Sequence, residues 1–307
     1  MRNALRILIP CVLVLAGCRG RMPDRVRIDP SLEKLVPQDA TMLAGARVEE
    51  LLATPAYQRW GAKALPMPMD RFARETGFDP RKDIKEILTA SDGKNSVFLA
   101  RGRFPLEKFG KSLNDPGIRR WTHRGRTLIG NDLWAAAVLD SNTAAAGPAT
   151  AVQSAIDRAD SGGGGIPGYL AERMKAIPRD SQLWIVTLGL TPVAKEIPEQ
   201  GNLSNLRRIL ASVESASVGI DLRNGFRMDA RCICRTDDGA KLIHDSLRGF
   251  VGMGRLTAPE GEPELLKFYD SIEISQNQRT VIVHTDMPMA RFEKFVEKSL
   301  PGIRGAK

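Results

Sequence analysis

Lys34-Leu35-Val36-Pro37-Gln38-Asp39-Ala40-Thr41-Met42-Leu43 is echoed about 140 residues later by Lys175-Ala176-Ile177-Pro178-Arg179-Asp180-Ser181-Gln182-Leu183-Trp184. Each copy is a Pro-x-Asp turn feeding an apolar strand, Met42 to Val48 and Leu183 to Leu190. Proline presets φ for the turn, and an aspartate side chain can bond the backbone ahead of it. A recurrence at fixed offset is the mark of internal repetition, so the two stretches predict a chain built from two related units.

Working outward, each strand leads into a helical segment, Glu49 to Thr76 and Pro192 to Ser212, the first broken at Pro66 and Pro68. Hairpins follow. Glu86–Ser91 and Ser96–Arg101 flank Asp92-Gly93-Lys94-Asn95. In the second half, Ala216, Val218, Ile220 and Leu222 alternate with polar residues before Asn224-Gly225, and Phe226, Met228, Ala230, Cys232 and Cys234 carry the apolar face back. Asn-Gly between alternating runs predicts a type I′ turn. Helices are expected at Pro105–Leu113 and Asp238–Gly252, the latter extended by Glu264–Tyr269. Second hairpins follow at Trp121–Ile129 with Leu133–Leu139 and at Ser271–Ser275 with Thr280–Thr285, and proline-started helices close both halves at Pro148–Ala159 and Pro288–Leu300. The expected fold is α+β, two tandem repeats of a strand-helix-hairpin-helix-hairpin-helix unit with antiparallel sheets and helices on one face. Residues 32–160 form the first repeat, 161–168 a Gly-rich linker, and 169–307 the second repeat, with Gly168 to Ile177 readable as a short helix leading into it.

Upstream of the repeats, Arg2 and Arg6 precede an apolar run from Ile7 to Leu15, interrupted by Pro10 and ending in Leu15-Ala16-Gly17-Cys18. The run is too short to span a bilayer as a permanent helix, and its layout is that of a cleavable export signal. The ending resembles the lipobox of bacterial lipoproteins, in which the cysteine is acylated and becomes the first residue. Residues 1–17 are then a signal peptide, Cys18 the lipid attachment site, and 18–31 a tether. That address is the bacterial cell envelope, facing the periplasm or exterior. Two or more acyl chains hold a protein stably at a membrane, where one does so only marginally.

The 307 residues carry 42% hydrophobic content, enough for a core, and a net charge of +9 that falls to +7 once Arg2 and Arg6 leave. A basic surface attracts anionic partners, and an exported protein seldom meets nucleic acid, so an anionic envelope polymer or a protein is the expected partner beside the membrane itself. Arg227, Arg231 and Arg235 repeat on the outward face of the second hairpin, about 13 Å apart per step from a strand rise of roughly 3.3 Å. They form a candidate basic binding face; a solvated sheet surface accounts for the same stripe, since Asp229 interrupts it.

Chemistry is harder to find. Cys11 leaves with the signal, and Cys232 and Cys234 share one strand face with apolar neighbours, which reads as core and is poor geometry for a disulfide. His123, His244 and His284 lack partners at metal-ligand spacing, so no metal site is expected. His123 and His284 fall in the second hairpins of their halves, which brings a symmetric pair into view beside the plainer reading of isolated structural histidines. No Gly-x-Ser-x-Gly elbow and no phosphate loop is present. Asp79, Asp83 and Glu86 read as turn, cap and surface residues, and the four tryptophans as core, with a sugar platform open to any left exposed. No catalytic residue and no cofactor is expected.

Glu75-Thr76-Gly77-Phe78-Asp79-Pro80-Arg81-Lys82-Asp83-Ile84, followed by a hairpin ending Phe98-Leu99-Ala100-Arg101-Gly102, resembles envelope lipoproteins of soil bacteria such as acidobacteria. The resemblance covers much of the first half and the second more loosely. It implies an envelope address and brings no catalytic residues. The expectation is a lipid-anchored envelope protein with a non-enzymatic binding or scaffolding role. A carrier or sensor of an apolar ligand held between sheet and helices is the rival, and a hydrolase ranks below it.

Overall fold

A computed structural model of the chain describes residues 25–61, 73–74, 77–104, 117–190, 204–259 and 261–299. The export signal, Cys18, most of the tether, the segment holding Pro66 and Pro68, the helix expected at Pro105–Leu113 and the start of that at Pro192–Ser212 lie outside them. In chain order the elements begin with α1 (Pro30–Glu33), β1 (Met42–Ala46) and α2 (Val48–Leu52), then a π-helical turn (Tyr57–Gly61) and α3 (Pro80–Asp83). Strands β2 (Ile84–Ser91), β3 (Ser96–Gly102), β4 (Arg119–His123), β5 (Arg126–Gly130), β6 (Trp134–Asp140) and β7 (Thr143–Pro148) precede α4 (Ala149–Ser161). Then come α5 (Gly168–Met174), β8 (Leu183–Leu188), α6 (Ser204–Ala211), β9 (Val213–Asp221) and β10 (Gly225–Cys234). The last are α7 (Asp237–Leu256), α8 (Pro263–Asp270), β11 (Ile272–Asn277), β12 (Thr280–Pro288) and α9 (Met289–Ser299).

The expectation of two tandem copies of one strand-helix-hairpin-helix-hairpin-helix unit is overturned. One antiparallel sheet of twelve strands runs through both halves in the order β11-β12-β10-β9-β8-β1-β2-β3-β7-β6-β5-β4. Seven of the strands come from the first half and five from the second, so the hairpins do not correspond. Trp121–Ile129 is not one strand but two, because Arg124 and Gly125 both have positive φ (46° and 73°) and fold it into a tight hairpin. Thr143–Pro148 is a further strand that the sequence reading did not place. At Asn224-Gly225 only the glycine has positive φ (141°), so the type I′ turn expected there does not form, and Gly225 instead opens β10 against Pro288. Asp92 behaves as expected, its Oδ1 accepting from the Lys94 and Asn95 amides at 2.7 Å each to close the β2–β3 turn.

The two Pro-x-Asp turns feed the central pair of strands. Ala40 donates to the Pro37 carbonyl and Ser181 to that of Pro178, and the strands that follow, β1 and β8, pair antiparallel with Leu43 opposite Val186 and Gly45 opposite Trp184. Gly45 is required here, since a Cβ at that position would lie inside the Trp184 indole. The run from Ser161 to Gly165 is no loose joint. It caps α4 and then presses Gly164 against the Lys34 and Val36 carbonyls, with the Gly165 amide donating to Val36 at 3.0 Å.

Helices on one face is the second expectation to fail. Residues paired across strands point to the same side, so the register traces each face through the whole sheet. Leu43, Ala90, Leu99, Ala145, Ala137 and Leu128 share the face of Val186, and on it Leu32, Val152, Ile156, Leu170 and Met174 from α1, α4 and α5 complete the main core. That same face continues through Ser217 of β9 to Arg231 of β10 and Ile282 of β12, where no buried cluster of the described residues lies on it. There the apolar residues point the other way: Cys232, Val281 and Ile274 pack beneath Ala240 and Ile243 of α7. Phe226 stacks on Phe292 of α9 at 5.6 Å. The cover changes sides across β9, whose small residues (Ser215, Ser217, Gly219 against Ala216 and Val218) suit either face.

Candidate functional site

With α7 and α9 on the opposite side, β10 and β12 present a polar face. Arg227 and Asp286 sit opposite each other in register, and the guanidinium Nη2 donates to Oδ2 at 2.6 Å. One pair further along, His284 Nδ1 and Asp229 Oδ1 are 2.7 Å apart. Next comes Arg231, exposed and without an ion pair or side-chain hydrogen bond among the described residues. The predicted stripe therefore breaks into three fates. Arg227 is neutralised, Arg231 is available, and Arg235 lies past the register shift at Ile233/Cys234, where its Nε donates to the Ala211 carbonyl at 3.3 Å. β10 ends at Cys234, so the alternation that the spacing assumed does not extend to Arg235.

Arg231 borders a groove of about 300 Å³ between the C-terminal half of α5 and the β9–β10 pair. α5 contributes Glu172 and Arg173, the residues just after it contribute Lys175 and Ala176, and the sheet contributes Ser215, Ser217 and Ile233. Pro167 starts α5 and Leu170 and Met174 anchor it to the main core, which fixes Arg173 on the side facing β9. Lys175 Nζ meets Glu172 at 2.5 Å, and Arg173 Nη2 donates to Glu214 at 3.0 Å. Arg173 Nε is buried with no hydrogen-bond partner among the described residues. Ser215 and Ser217 are 1% and 5% exposed, and neither hydroxyl has a partner among the described residues. Buried polar groups are normally paired, so the unmet Arg173 Nε–H, together with exposed Arg231, marks the groove out. The sequence reading found Arg231 but not Arg173, Lys175 or the serines. No spacing links them, because α5 and β9 lie 40 residues apart.

The other sequence candidates scatter. His123 Nε2 meets Asp157 of helix α4 at 2.9 Å whereas His284 meets Asp229 of strand β10, and the two histidines sit in strands near opposite ends of the sheet order, so no symmetric pair forms. His244 meets its neighbour Asp245 at 2.9 Å. Among the described residues no three His, Cys, Asp or Glu side chains gather at metal-binding distance. The Cys232 and Cys234 sulfurs are 4.0 Å apart as free thiols, and burial pushes Cys232 up to about 12, away from thiolate chemistry.

Two carboxylates differ from their surface reading. Asp83 is buried, accepting from the Asp79 amide at 2.9 Å and from Arg103 at 2.8 Å. Glu86 lies partly buried beneath the incoming chain, where both its oxygens accept from the Asp29 amide at 3.2 Å. Burial raises its carboxyl to about 7, and the nearby Asp29 charge adds to the shift. Asp79 does cap α3 through the Arg81 amide, as a cap residue should.

Trp60 and Trp184 are core, as expected of them, but Trp134 is 53% exposed. It stacks on half-exposed Phe98 at 5.9 Å, with exposed Leu133 beside it, on the face opposite the main core. Phe250, Met253 and Leu256 form another exposed apolar cluster at the end of α7.

No family model and no curated protein matches the sequence. Crystal forms III and IV of TP0453 are similar in fold, with TM-scores of 0.54 and 0.53. Sequence identity is 10% and 9%, over 89% and 88% of this chain and 99% and 97% of theirs. At that identity the likeness is one of fold alone.

Proposed function

We propose that the chain is a lipid-anchored protein of the bacterial cell envelope, held at a membrane through Cys18 and facing the periplasm or exterior. Its role in this reading is non-enzymatic binding or scaffolding. The observation that carries it is Leu15-Ala16-Gly17-Cys18 behind a short apolar run with a basic start. Among the described residues no helix is long and apolar enough to cross a membrane, which leaves attachment to the N-terminus in this reading. The polar face of β10 and β12 supports a binding role, since Arg231 and the groove beside it leave donors unmet, and its expected partner is anionic.

Changing Cys18 to Ala and fractionating cells grown with labelled palmitate tests the anchor. Label and membrane association should both vanish; a variant that stays in the membrane fraction overturns the proposal.

One observation favours a second reading, that of an apolar-ligand carrier. Trp134, Phe98 and Leu133 expose apolar surface on a sheet face where Ala136 is exposed and Ala144 and Ala146 are half-buried, leaving room above the strands. Lipid that co-purifies with wild-type protein, and is lost in Trp134→Ser, would support it. Identical lipid content in the two proteins would end it.

A further inference from the structure

The geometry points to the groove between α5 and the β9–β10 pair as a binding site for a phosphate group. This deepens the reading of the polar sheet face as a binding surface and does not depend on the anchor.

The groups that lack partners there are donors. Arg231 brings a guanidinium with no carboxylate on it, Arg173 brings a buried Nε–H with no acceptor, and Ser215 and Ser217 bring hydroxyls without a partner among the described residues. The carboxylate that lines the groove, Glu172, is engaged by Lys175, and Glu214 beside it is shared between Arg173 and Arg279. A ligand for this set must be rich in acceptors and carry negative charge. A neutral sugar would leave the guanidinium charge unmatched, and a cation would be repelled. The ionised oxygens of a phosphate accept, and a planar guanidinium meets two of them at once, a pairing roughly twice as strong as between neutral groups.

Size and lining agree. About 300 Å³ is at the small end of the range for organic ligands, room for a headgroup and a short stem but not for a long acyl chain. Ile233 and Ala176 give that stem an apolar wall. Arg227 serves as an internal contrast on the same face. It is closed off by Asp286, so phosphate should not compete for it.

The test is calorimetric titration of full-length protein in a phosphate-free non-ionic detergent. The probes are inorganic phosphate, a short-chain phosphatidic acid below its micelle concentration, and the phosphatidylcholine with the same tails. Phosphatidic acid should bind, and Arg231→Gln should weaken it about tenfold, the worth of one charge-assisted hydrogen bond. Ser217→Ala should cost a smaller factor, and Arg227→Gln less than twofold. Both arginines are exposed, so their replacement leaves the fold intact, and an unchanged melting temperature checks this. Phosphatidic acid binding far more tightly than phosphate identifies a lipid headgroup, and equal binding identifies the free anion; either supports the site. Absence of binding by both probes overturns the proposal, as does equal weakening by Arg227→Gln and Arg231→Gln or equal binding of phosphatidylcholine. Failure here with Cys18-dependent membrane association intact would remove the site and leave the anchor standing.

Discussion

The β1-to-β7 side of the sheet and the β9-to-β12 side bury opposite faces, and they do so with different means. On the first side α1, α4 and α5 lay large aliphatic residues on the strands, and Leu32, Leu35, Leu88, Leu99, Leu128 and Ile156 are fully buried. On the second the buried residues fall into two small sets, Val213, Cys234, Ala240, Ile243 and Val281 under α7 and Ala56, Trp60 and Val296 around α9, and α7 ends with Phe250, Met253 and Leu256 in solvent. One sheet thus has a thick core on one side and a thin one on the other. Burial of apolar area is the main favourable term in folding, so the first side should carry most of the stability. The second side is left free to expose a polar face and the groove at its border.

Matched truncations would break this comparison most directly. Leu99→Ala, in the thick core, should cost about 2–5 kcal/mol, as fully buried leucines do, whereas Leu247→Ala, half-buried on α7, should fall below that range. Urea unfolding of both variants measures the difference, and equal losses would mean that the two cores bear equal weight.

The seam offers a somewhat smaller effect. Gly45→Ala inserts a methyl group into the buried Trp184 ring, an overpacking that costs about 1–3 kcal/mol. Trp184→Phe should relieve part of it, so the double variant should be less destabilised than the sum of the single changes. Strict additivity would show that β1 and β8 are not coupled through this contact.

A pH-dependent effect sharpens the comparison at the start of the thick side, where Asp29 meets Glu86. A carboxyl raised from 4.5 to about 7 by folding keeps its proton longer in the folded state than in the unfolded one. Its contribution is therefore full below pH 4.5 and is lost as pH rises to about 7. Melting temperatures of wild type should fall across that window relative to Glu86→Gln, whose side chain does not titrate. Parallel curves for the two proteins would remove Glu86 as the source.

Much of the local structure was legible. The Pro-x-Asp turns, the strands after them, the Asp92 turn and the helices after Pro148 and Pro288 follow from short-range chemistry, and all form near where that chemistry places them. Arg124-Gly125 was not legible, because arginine carries no preference for the positive φ it adopts. Asn224-Gly225 misled for the converse reason: the favoured turn was available, but Gly225 is drawn into pairing with β12. Arg231 was legible as one of a series, yet what sets it apart from the others is an aspartate on β12 that closes Arg227 and the end of β10 before Arg235. Glu86 looked like a surface residue because nothing nearby in sequence tells that the chain at Asp29 crosses it.

By itself the sequence determined where many of the strands, turns and helices begin, and it carries the lipobox-like start on which the proposed address rests. Those features depend on residues within one or two turns of each other, so local preference is enough. Only the tertiary structure decided that the halves share one sheet, that their helices lie on opposite faces, and that α5 comes to rest beside Arg231. Alternation makes one face of a strand apolar, but it does not say on which side of the common sheet that face will lie. That depends on the pairing of β1 with β8 and on the small residues of β9, where the cover can change sides.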